Sequence, residues 1–290
     1  MPLTLIKGQY RILNAAPDGD SIRFYPDDRQ AFQKARLNVR TNKSGGAQLR
    51  LDGIDSLETH YTPRVSGSGF GVQHQPLKFA HAASSELLSF VGFKNVVRTP
   101  DETVTGATPT QVQGHILTRV ADKYGRCVAF AFKGGNRKAD LSDVFIDIPT
   151  LRQSANHRML ATGLAYPTYY EKLFPDLRNA MTQAVMAARA AGKGLWPSDA
   201  TTKGFTLNNL KTLSDQAVIM PKLYRRLIDY LAINDGSPSL SGFIDFLIAR
   251  DDRMLILSTG HSTGFDFVVK VKGQRIHLTN PPEDLVFREG

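Results

Sequence analysis

The order of the secondary-structure patterns constrains the fold of this chain more than any other sequence feature. A Gly/Ser-rich loop at 64–76 and a helix-like segment at 77–91 interrupt strand-like segments, and two helix-like segments at 150–162 and 173–192 follow. The alternation typical of half-buried strands is found at 9–25, 47–55 and 126–132. Strands, one helix, more strands and two helices predict a small β-barrel with helices packed against it.

The composition changes within 194–204, GLWPSDATTKG, which predicts a linker between two domains. We therefore assign residues 1–200 to the barrel domain and residues 204–290 to a small C-terminal α+β domain of unknown role. Its first helix is expected at about 218–233. An apolar stripe on that helix indicates either the core of the domain or a contact with a protein partner or a second copy: Met220, Leu223, Leu227 and Leu231.

The excess of positive over negative charge lies entirely in the first domain. The chain has 36 Lys and Arg residues against 27 Asp and Glu, a formal net charge of +9, whereas residues 204–290 carry equal numbers of each sign. A basic domain attracts polyanions through phosphate contacts and the release of counterions. A basic surface that only maintains solubility is the alternative interpretation.

The single cysteine and the hydropathy pattern bear on the compartment. Cys127 lies in an alternating apolar run, which predicts a buried structural thiol, and one cysteine excludes an intramolecular disulfide. No segment reaches the roughly 20 apolar residues that cross a bilayer. Because the N-terminus lacks the apolar stretch of a secretory signal, we expect a cytoplasmic location for the sequence as given. A signal removed beforehand would instead imply secretion.

Two motifs place carboxylates at a turn and at a strand end. The first is DGDS at 18–21, whose residues are also ordinary hairpin-turn chemistry. The second is RLDGIDSLET at 50–59, where Gly53 can host a bulge that redirects the chain. Asp55 and Glu58 then lie beyond a strand end and can converge on one ion or water. A solvated exit from the strand is the simpler alternative.

A third motif adds a second arginine. DKYGR at 122–126 predicts a turn that leads directly into a buried strand. Arg126, at the mouth of that strand, offers the planar fork of donors that suits phosphate. The alternative is a hairpin turn that needs only Gly125.

Taken together, the three motifs resemble those of the staphylococcal nuclease-like (thermonuclease) family. The family pattern is DGDT or DGDS, then R-(x)4-D-[ST]-x-E-T, then DKYGR, and this sequence has all three in order. GLAY at 163–166 and GKGLW at 192–196 are similar to the family's final helices, so the resemblance covers roughly residues 8–197. Leu57 stands where the family often has proline. The resemblance implies an OB-fold, a five-stranded β-barrel with three packed helices.

The resemblance also implies roles for individual residues. Asp20 and Asp55 match metal-binding carboxylates, and Ser56 matches a residue whose backbone carbonyl binds the ion. Glu58 matches the carboxylate that activates or orders the attacking water. Arg50 and Arg126 match a phosphate clamp, and Arg126 is also a candidate for protonating the leaving oxygen, although the very high pKa of arginine opposes that role. Substrate contacts are implied for Lys123 and Tyr124 and for Tyr169 or Tyr170.

The function that this resemblance implies is that of a metal-dependent endonuclease. It would hydrolyse phosphodiester bonds of DNA or RNA with little sequence preference and with the 5′ oxygen leaving. Ca²⁺ is the expected cofactor, with Mg²⁺ and Mn²⁺ as alternatives. A non-catalytic nucleic-acid-binding or scaffold module of the same fold is the other hypothesis. The retained acidic and arginine positions favour the enzyme, and no membrane contact is expected.

Overall fold

The structure, a computed structural model, describes residues 2–63, 65 and 70–289. Residues 64 and 66–69 of the loop predicted at 64–76 lie outside this description. The strands of the first two thirds of the chain are β1 (Leu3–Arg11), β2 (Ser21–Pro26), β3 (Ala47–Leu51), β4 (Ile54–Asp55), β5 (Lys94–Arg98), β6 (Val104–Thr108), β7 (Gln111–Ala121), β8 (Cys127–Lys133), β9 (Asp143–Val144), β10 (Tyr166–Pro167) and β11 (Tyr169–Tyr170).

Five of these strands close into a barrel. Their order is β1-β2-β3-β8-β7, and β7 pairs back onto β1, while β9 adds to β1 outside the ring. All pairings in the ring are antiparallel except β3 with β8, which is parallel. Alternation buries Leu49, Leu51 and Cys127 inside the barrel and turns Arg50 outward. The predicted OB-like, closed five-stranded barrel is confirmed, and so is the buried Cys127.

Helices cover the barrel on one side. The helices up to residue 190 are α1 (Ala31–Lys34), α2 (Leu77–Val91), α3 (Ile148–Leu151), α4 (Ala155–Ala161) and α5 (Pro175–Ala190). Helix α2 buries Ala80, Ala83, Leu87 and Val91 at helical spacing, and both α2 and α4 pack on β8. Helix α5 packs on α4. The three helices expected beside the barrel are thus α2, α4 and α5.

An α+β region follows the barrel, as expected. Its strands and helices are β12 (Phe205–Thr206), α6 (Pro221–Ile233), α7 (Phe243–Arg250), β13 (Arg253–Ile256), β14 (His261–Gly264), α8 (Phe265–Val268), β15 (Val269–Lys272), β16 (Arg275–Leu278) and β17 (Leu285–Phe287). Two short 3-10 helices, Trp196–Ser198 and Pro282–Asp284, and a π-helical turn, Thr212–Gln216, complete the chain.

The C-terminal region shares its sheet and its core with the barrel domain. Strand β17 pairs in parallel with β11, Tyr169 opposite Val286 and Tyr170 opposite Phe287. Arg189 of α5 forms a two-pronged ion pair with Glu283. Because the buried apolar residues of both regions form one continuous cluster, the division near residues 200–204 stays a prediction. No helix of the described residues is long and apolar enough to span a membrane.

Candidate functional site

Contacts with α2 and with the end of β5 hold the DGDS turn against the barrel. A Cβ on Gly19 would lie 2.5 Å from the Cβ of Ala83 and 2.7 Å from that of Ser56, so only glycine permits this approach. The hydroxyl of Ser84 and the guanidinium of Arg98 both donate to the carbonyl of Pro17, at 2.9 and 3.0 Å. The turn is therefore fixed beside the segment that contains the second motif.

That second motif leaves the barrel through a sharp turn after β3. Gly53 has φ +76°, a left-handed conformation that suits glycine, and the chain re-forms as β4, where Asp55 pairs with Tyr166. The buried Asn156 of α4 donates to the carbonyls of Asp52 and Ala129, at 2.9 and 3.0 Å. This amide fixes the end of β3 beside β8, and the turn directs the Asp55 side chain toward the DGDS turn.

Asp20 and Asp55 meet at this point. The backbone N–H of Ser56 donates to Oδ2 of Asp20 at 3.1 Å, and the two carboxyl groups are themselves hydrogen-bonded. Burial, together with the nearby charges of Asp18 and Asp55, raises the pKa of Asp20 well above its ordinary value. Burial alone would raise the pKa of Asp55 as well, but Arg225, Arg50 and the hydrogen bond from Asp20 outweigh burial and lower it.

Glu58 lies at the same site, on the loop after β4. Its backbone N–H donates to Oε1 of Gln75 at 3.3 Å, and Nε2 of Gln75 donates to the carbonyl of Ile219 at 2.8 Å. Burial raises the pKa of Glu58 to about 7, although attraction to Arg225 opposes the rise. A buried carboxyl of this kind can exchange a proton near neutral pH.

The most prominent contact in the site comes from the C-terminal region. Arg225 of α6 donates from Nη1 and Nη2 to the two carboxylate oxygens of Asp55, at 3.0 and 2.5 Å. Nη1 also donates to Oε1 of Glu58 at 2.5 Å. The guanidinium thus bridges Asp55, a predicted metal ligand, and Glu58, the predicted catalytic carboxylate. Sequence reasoning missed this residue, since it lies outside all three motifs.

Helix α6 holds Arg225 through a buried ionic network. Arg226 binds both oxygens of Asp252, at 2.5 and 2.8 Å, and Lys222 donates to the same carboxylate at 3.0 Å. The fully buried Asp229 accepts from the hydroxyl of Tyr61, which belongs to the barrel domain, at 2.8 Å. The spacing of 222, 225, 226 and 229 was the available signal, a charged stripe at helical intervals.

Arg50 reaches the site from the outer face of β3. Its guanidinium lies 4.7 Å from the ring centre of Tyr170, and attraction to Tyr170 and Asp55 raises its pKa against the lowering effect of burial. Arg50 opposes Val128 in the β3–β8 pair, so Arg126, two residues earlier, shares its outward face. Strand geometry puts the Cα atoms of the two arginines about 8 Å apart.

The DKYGR turn is held by Asp122. One oxygen of its carboxylate accepts from the backbone N–H groups of Tyr124 and Arg126, and the other accepts from Nε of Arg126 at 2.7 Å. In the described part of the chain, no hydrogen bond or ion pair joins Arg126 to Asp20, Asp55 or Glu58. Lys123 and Tyr124 lie exposed at the tip of this turn.

Neither tyrosine proposed for base stacking presents a suitable face. Tyr169 is fully buried, with its hydroxyl 2.9 Å from that of Thr182. Tyr170 does border the site, but Arg50 lies over its ring and Phe287 lies 6.0 Å away, centre to centre. Because β17 pairs against these residues, the expectation that one of them stacks on a base does not fit this structure. Tyr170 instead orients Arg50.

The donor set suits a hard cation, which prefers carboxylate and carbonyl oxygens. Asp20 and Asp55 offer adjacent carboxylates, and the destabilised charge on Asp20 is the kind that a cation relieves. Among residues 2–63, 65 and 70–289, no group of three or more His, Cys, Asp or Glu side chains is arranged to hold a metal. The protein ligands of a bound cation would therefore be the two carboxylates and the Ser56 carbonyl. Both oxygens of Asp55 already accept hydrogen bonds from Arg225.

Comparison with known proteins agrees with these motifs. No curated protein matches the chain significantly. The model of one protein family, described as staphylococcal nuclease homologue, matches residues 48–198, which is more than half of the chain. The match includes the second and third motifs. Asp20 lies before the matched residues, and the fold brings it into contact with Ser56 of the second motif. The chain therefore belongs to the staphylococcal nuclease homologues, a family of nucleases and nucleic-acid-binding proteins.

Proposed function

We propose that this protein is a metal-dependent nuclease that hydrolyses phosphodiester bonds in DNA or RNA. One observation carries the proposal: Asp20 of the DGDS turn meets Asp55 and Glu58 of the second motif beside the outward guanidinium of Arg50. Phosphodiester hydrolysis requires charge stabilisation at phosphorus and a base for water, and these side chains supply both. The basic barrel domain favours a polyanionic substrate.

A divalent cation, with Ca²⁺ first and Mg²⁺ or Mn²⁺ as alternatives, would be held by the carboxylates of Asp20 and Asp55 and the carbonyl of Ser56. When bound, it would supply positive charge to the phosphoryl oxygens. The remaining work is assigned to the chain's own side chains. Arg50 binds a phosphate oxygen from the face that Tyr170 leaves open. Arg126 contributes a second guanidinium once it turns from Asp122.

Glu58 is the proposed base. It accepts a proton from water as the water oxygen attacks phosphorus and the bond from phosphorus to the 5′ oxygen breaks. The released 5′ oxygen takes up a proton from solvent water and Glu58 returns its own proton to solvent, which leaves a 5′ hydroxyl and a 3′ phosphate. Lys123 and Tyr124, exposed on the DKYGR turn, are positioned to bind the substrate strand beyond the scissile phosphate.

Cleavage of end-labelled single-stranded DNA, duplex DNA and RNA tests this proposal. We expect cleavage in Ca²⁺, Mg²⁺ or Mn²⁺ titrated to millimolar concentration, products with 3′ phosphates, and no cleavage in EDTA. Asp55→Ala should be inactive, whereas Asp251→Ala, at an exposed carboxylate of the C-terminal region, should cleave like wild type. Cutting that persists unchanged in EDTA would overturn the assignment of a metal.

A non-catalytic nucleic-acid-binding module is the second candidate, and the contact of Arg225 with both Asp55 and Glu58 favours it. In such a protein the carboxylates would be structural anchors for α6. Binding of labelled DNA with no cleavage at any cation concentration, in wild type and in Arg225→Gln alike, would select this candidate.

A further inference from the structure

We propose that Arg225 is a built-in competitor of the divalent cation, through which the C-terminal region sets the cation concentration that the site requires. The inference deepens the proposed function and rests on it, because it assumes a cation at Asp20 and Asp55. It concerns a residue that lies outside the family match at 48–198.

The contacts of Arg225 are those of a cation seated among ligands. Its guanidinium takes both oxygens of Asp55 and one oxygen of Glu58, and its side chain is only 19% exposed. The bonds to Asp55 join ionised partners in a partly dehydrated site, where such bonds are short and strong. A metal ion that binds Asp55 needs lone pairs on the same oxygens. The Arg225 guanidinium and a metal ion therefore compete for the same oxygens of Asp55.

Helix α6 cannot easily carry Arg225 away. The backbone N–H of Met220, at its start, donates to the buried hydroxyl of Thr201 at 3.0 Å. On the adjacent turns, Arg226 is bound to Asp252 and Asp229 is bound to Tyr61. To release Asp55, the Arg225 side chain must therefore rotate away from both carboxylates while the helix stays in place.

The consequence follows from linkage between two cations at one anionic site. Whatever free energy the Asp55–Arg225 bonds contribute is lost when a metal displaces them, so apparent metal affinity falls by the corresponding factor. If the guanidinium stays, its charge repels the incoming ion through a medium that screens poorly. Either outcome weakens cation binding relative to a chain that lacks the charge at position 225.

Calcium affinity, measured by calorimetry on the full chain, tests the competition without any activity assay. Arg225→Gln and Arg225→Met should bind Ca²⁺ at least about ten-fold more tightly than wild type, the range typical of coupled sites. Arg226→Gln is the matched control, since it removes a neighbouring charge on the same helix whose partners are Asp252 and Asp229. Its affinity should stay within about two-fold of wild type. Equal or weaker binding by both Arg225 variants overturns the inference.

Asp55→Asn separates this inference from the proposed function. If wild type binds Ca²⁺ through Asp55 but Arg225→Gln is no tighter, the competition fails and the nuclease proposal stands. If no variant binds any divalent cation, both fail.

Should the Arg225 variants not fold, the wild-type chain still gives an answer. The ¹⁵N and ¹H signals of the Arg225 guanidinium should shift in step with Ca²⁺ saturation, because its partners change. Signals that stay constant at saturating Ca²⁺ would contradict displacement.

Discussion

The two sides of the carboxylate site hold their charges in different ways. On the barrel side, Asp20 lies just before β2 and Glu58 lies in the loop after β4, and burial together with neighbouring carboxylates raises both pKa values. On the C-terminal side, each cation of α6 faces a carboxylate within hydrogen-bonding distance, as Arg226 faces Asp252. The first arrangement stores unfavourable charge that a ligand can relieve, and the second is already neutralised. We therefore assign the reactive carboxylates to the barrel side, and the ion pairs that limit their reactivity to the C-terminal side.

Truncation after Lys203 should have the largest effect, because it tests whether the two sides are separable. It removes β17 from β11, the Ile219 carbonyl from Gln75 and about a third of a continuous core. We expect the melting temperature, followed by circular dichroism, to fall by more than about 15 °C or the cooperative transition to vanish. Arg189→Met, which removes the pair with Glu283 and the contact of the guanidinium with the Trp196 ring, is the control and should melt within a few degrees. A truncated chain as stable as wild type would establish two independent domains.

Glu58→Gln probes the reactive side. The amide keeps the size of the side chain and can still accept from Arg225, but it cannot take a proton from water. We expect kcat to fall by about 10²- to 10⁴-fold under conditions where wild type cleaves. Glu86→Gln, which alters a carboxylate of α2 paired with Arg158, should leave kcat unchanged. Near-normal turnover by Glu58→Gln would remove this residue from the mechanism.

Asp252→Asn probes the neutralised side and should act on stability. Burial alone would raise the pKa of Asp252, but its bonds to Arg226 and the attraction of Lys222 outweigh burial and lower that pKa. Loss of the charge should reduce the free energy of unfolding at neutral pH by about 3 kcal/mol.

The pH dependence of that loss has a definite sign. Because the folded-state pKa of Asp252 is depressed, its contribution is complete above the unfolded value of about 3.9 and is lost as pH falls below it. Urea unfolding of wild type and Asp252→Asn should therefore converge in acid. The neighbouring Asp251→Asn, at an exposed ion pair, should change little at any pH. A difference that is constant with pH would contradict this assignment.

Lys123→Ala should have the smallest effect. Together with Lys211→Ala, it tests whether positive charge in each region contributes to nucleic-acid affinity. We expect affinity for single-stranded DNA to fall a few-fold and the slope of log affinity against log salt to decrease by about 1. Lys211→Ala, at an exposed lysine of the electrically neutral C-terminal region, should change neither quantity. Equal losses in the two variants would place nucleic acid on both regions.

The barrel and its site motifs could be predicted because both depend on patterns within short stretches of the sequence. The 77–91 segment became α2 with the same bounds, since its burial repeats every three to four residues. One local signal is ambiguous: the apolar alternation of FDFVVKV at 265–271 favours a strand, yet its first four residues form α8. Phe265 and Val268 are buried three residues apart, a spacing that suits a helix turn as well as a strand end.

Arg225 could not be predicted by the same reasoning. Helix α6 buries its apolar stripe, as expected from Leu223 and Leu227, and a charged stripe on the other face normally indicates solvent. Here that face is covered on both sides: Asp229 is buried beside Tyr61 of the barrel domain, and Lys222 is buried beside Asp252 of the C-terminal region. Which surface a charged stripe meets depends on contacts between residues some 170 positions apart, such as Asp55 with Arg225, and local periodicity carries no information about such contacts.

Gln75 makes the two regions interdependent during sequence divergence. This fully buried amide accepts from the backbone of Glu58 with its oxygen and donates to the backbone of Ile219 with its nitrogen. No other side chain of that length offers one acceptor and one donor at once: glutamate would repel the Ile219 carbonyl, and methionine would leave both groups unsatisfied. An exchange of the C-terminal region for an unrelated sequence would have to supply a carbonyl at this point, or the loop that presents Glu58 would lose its anchor.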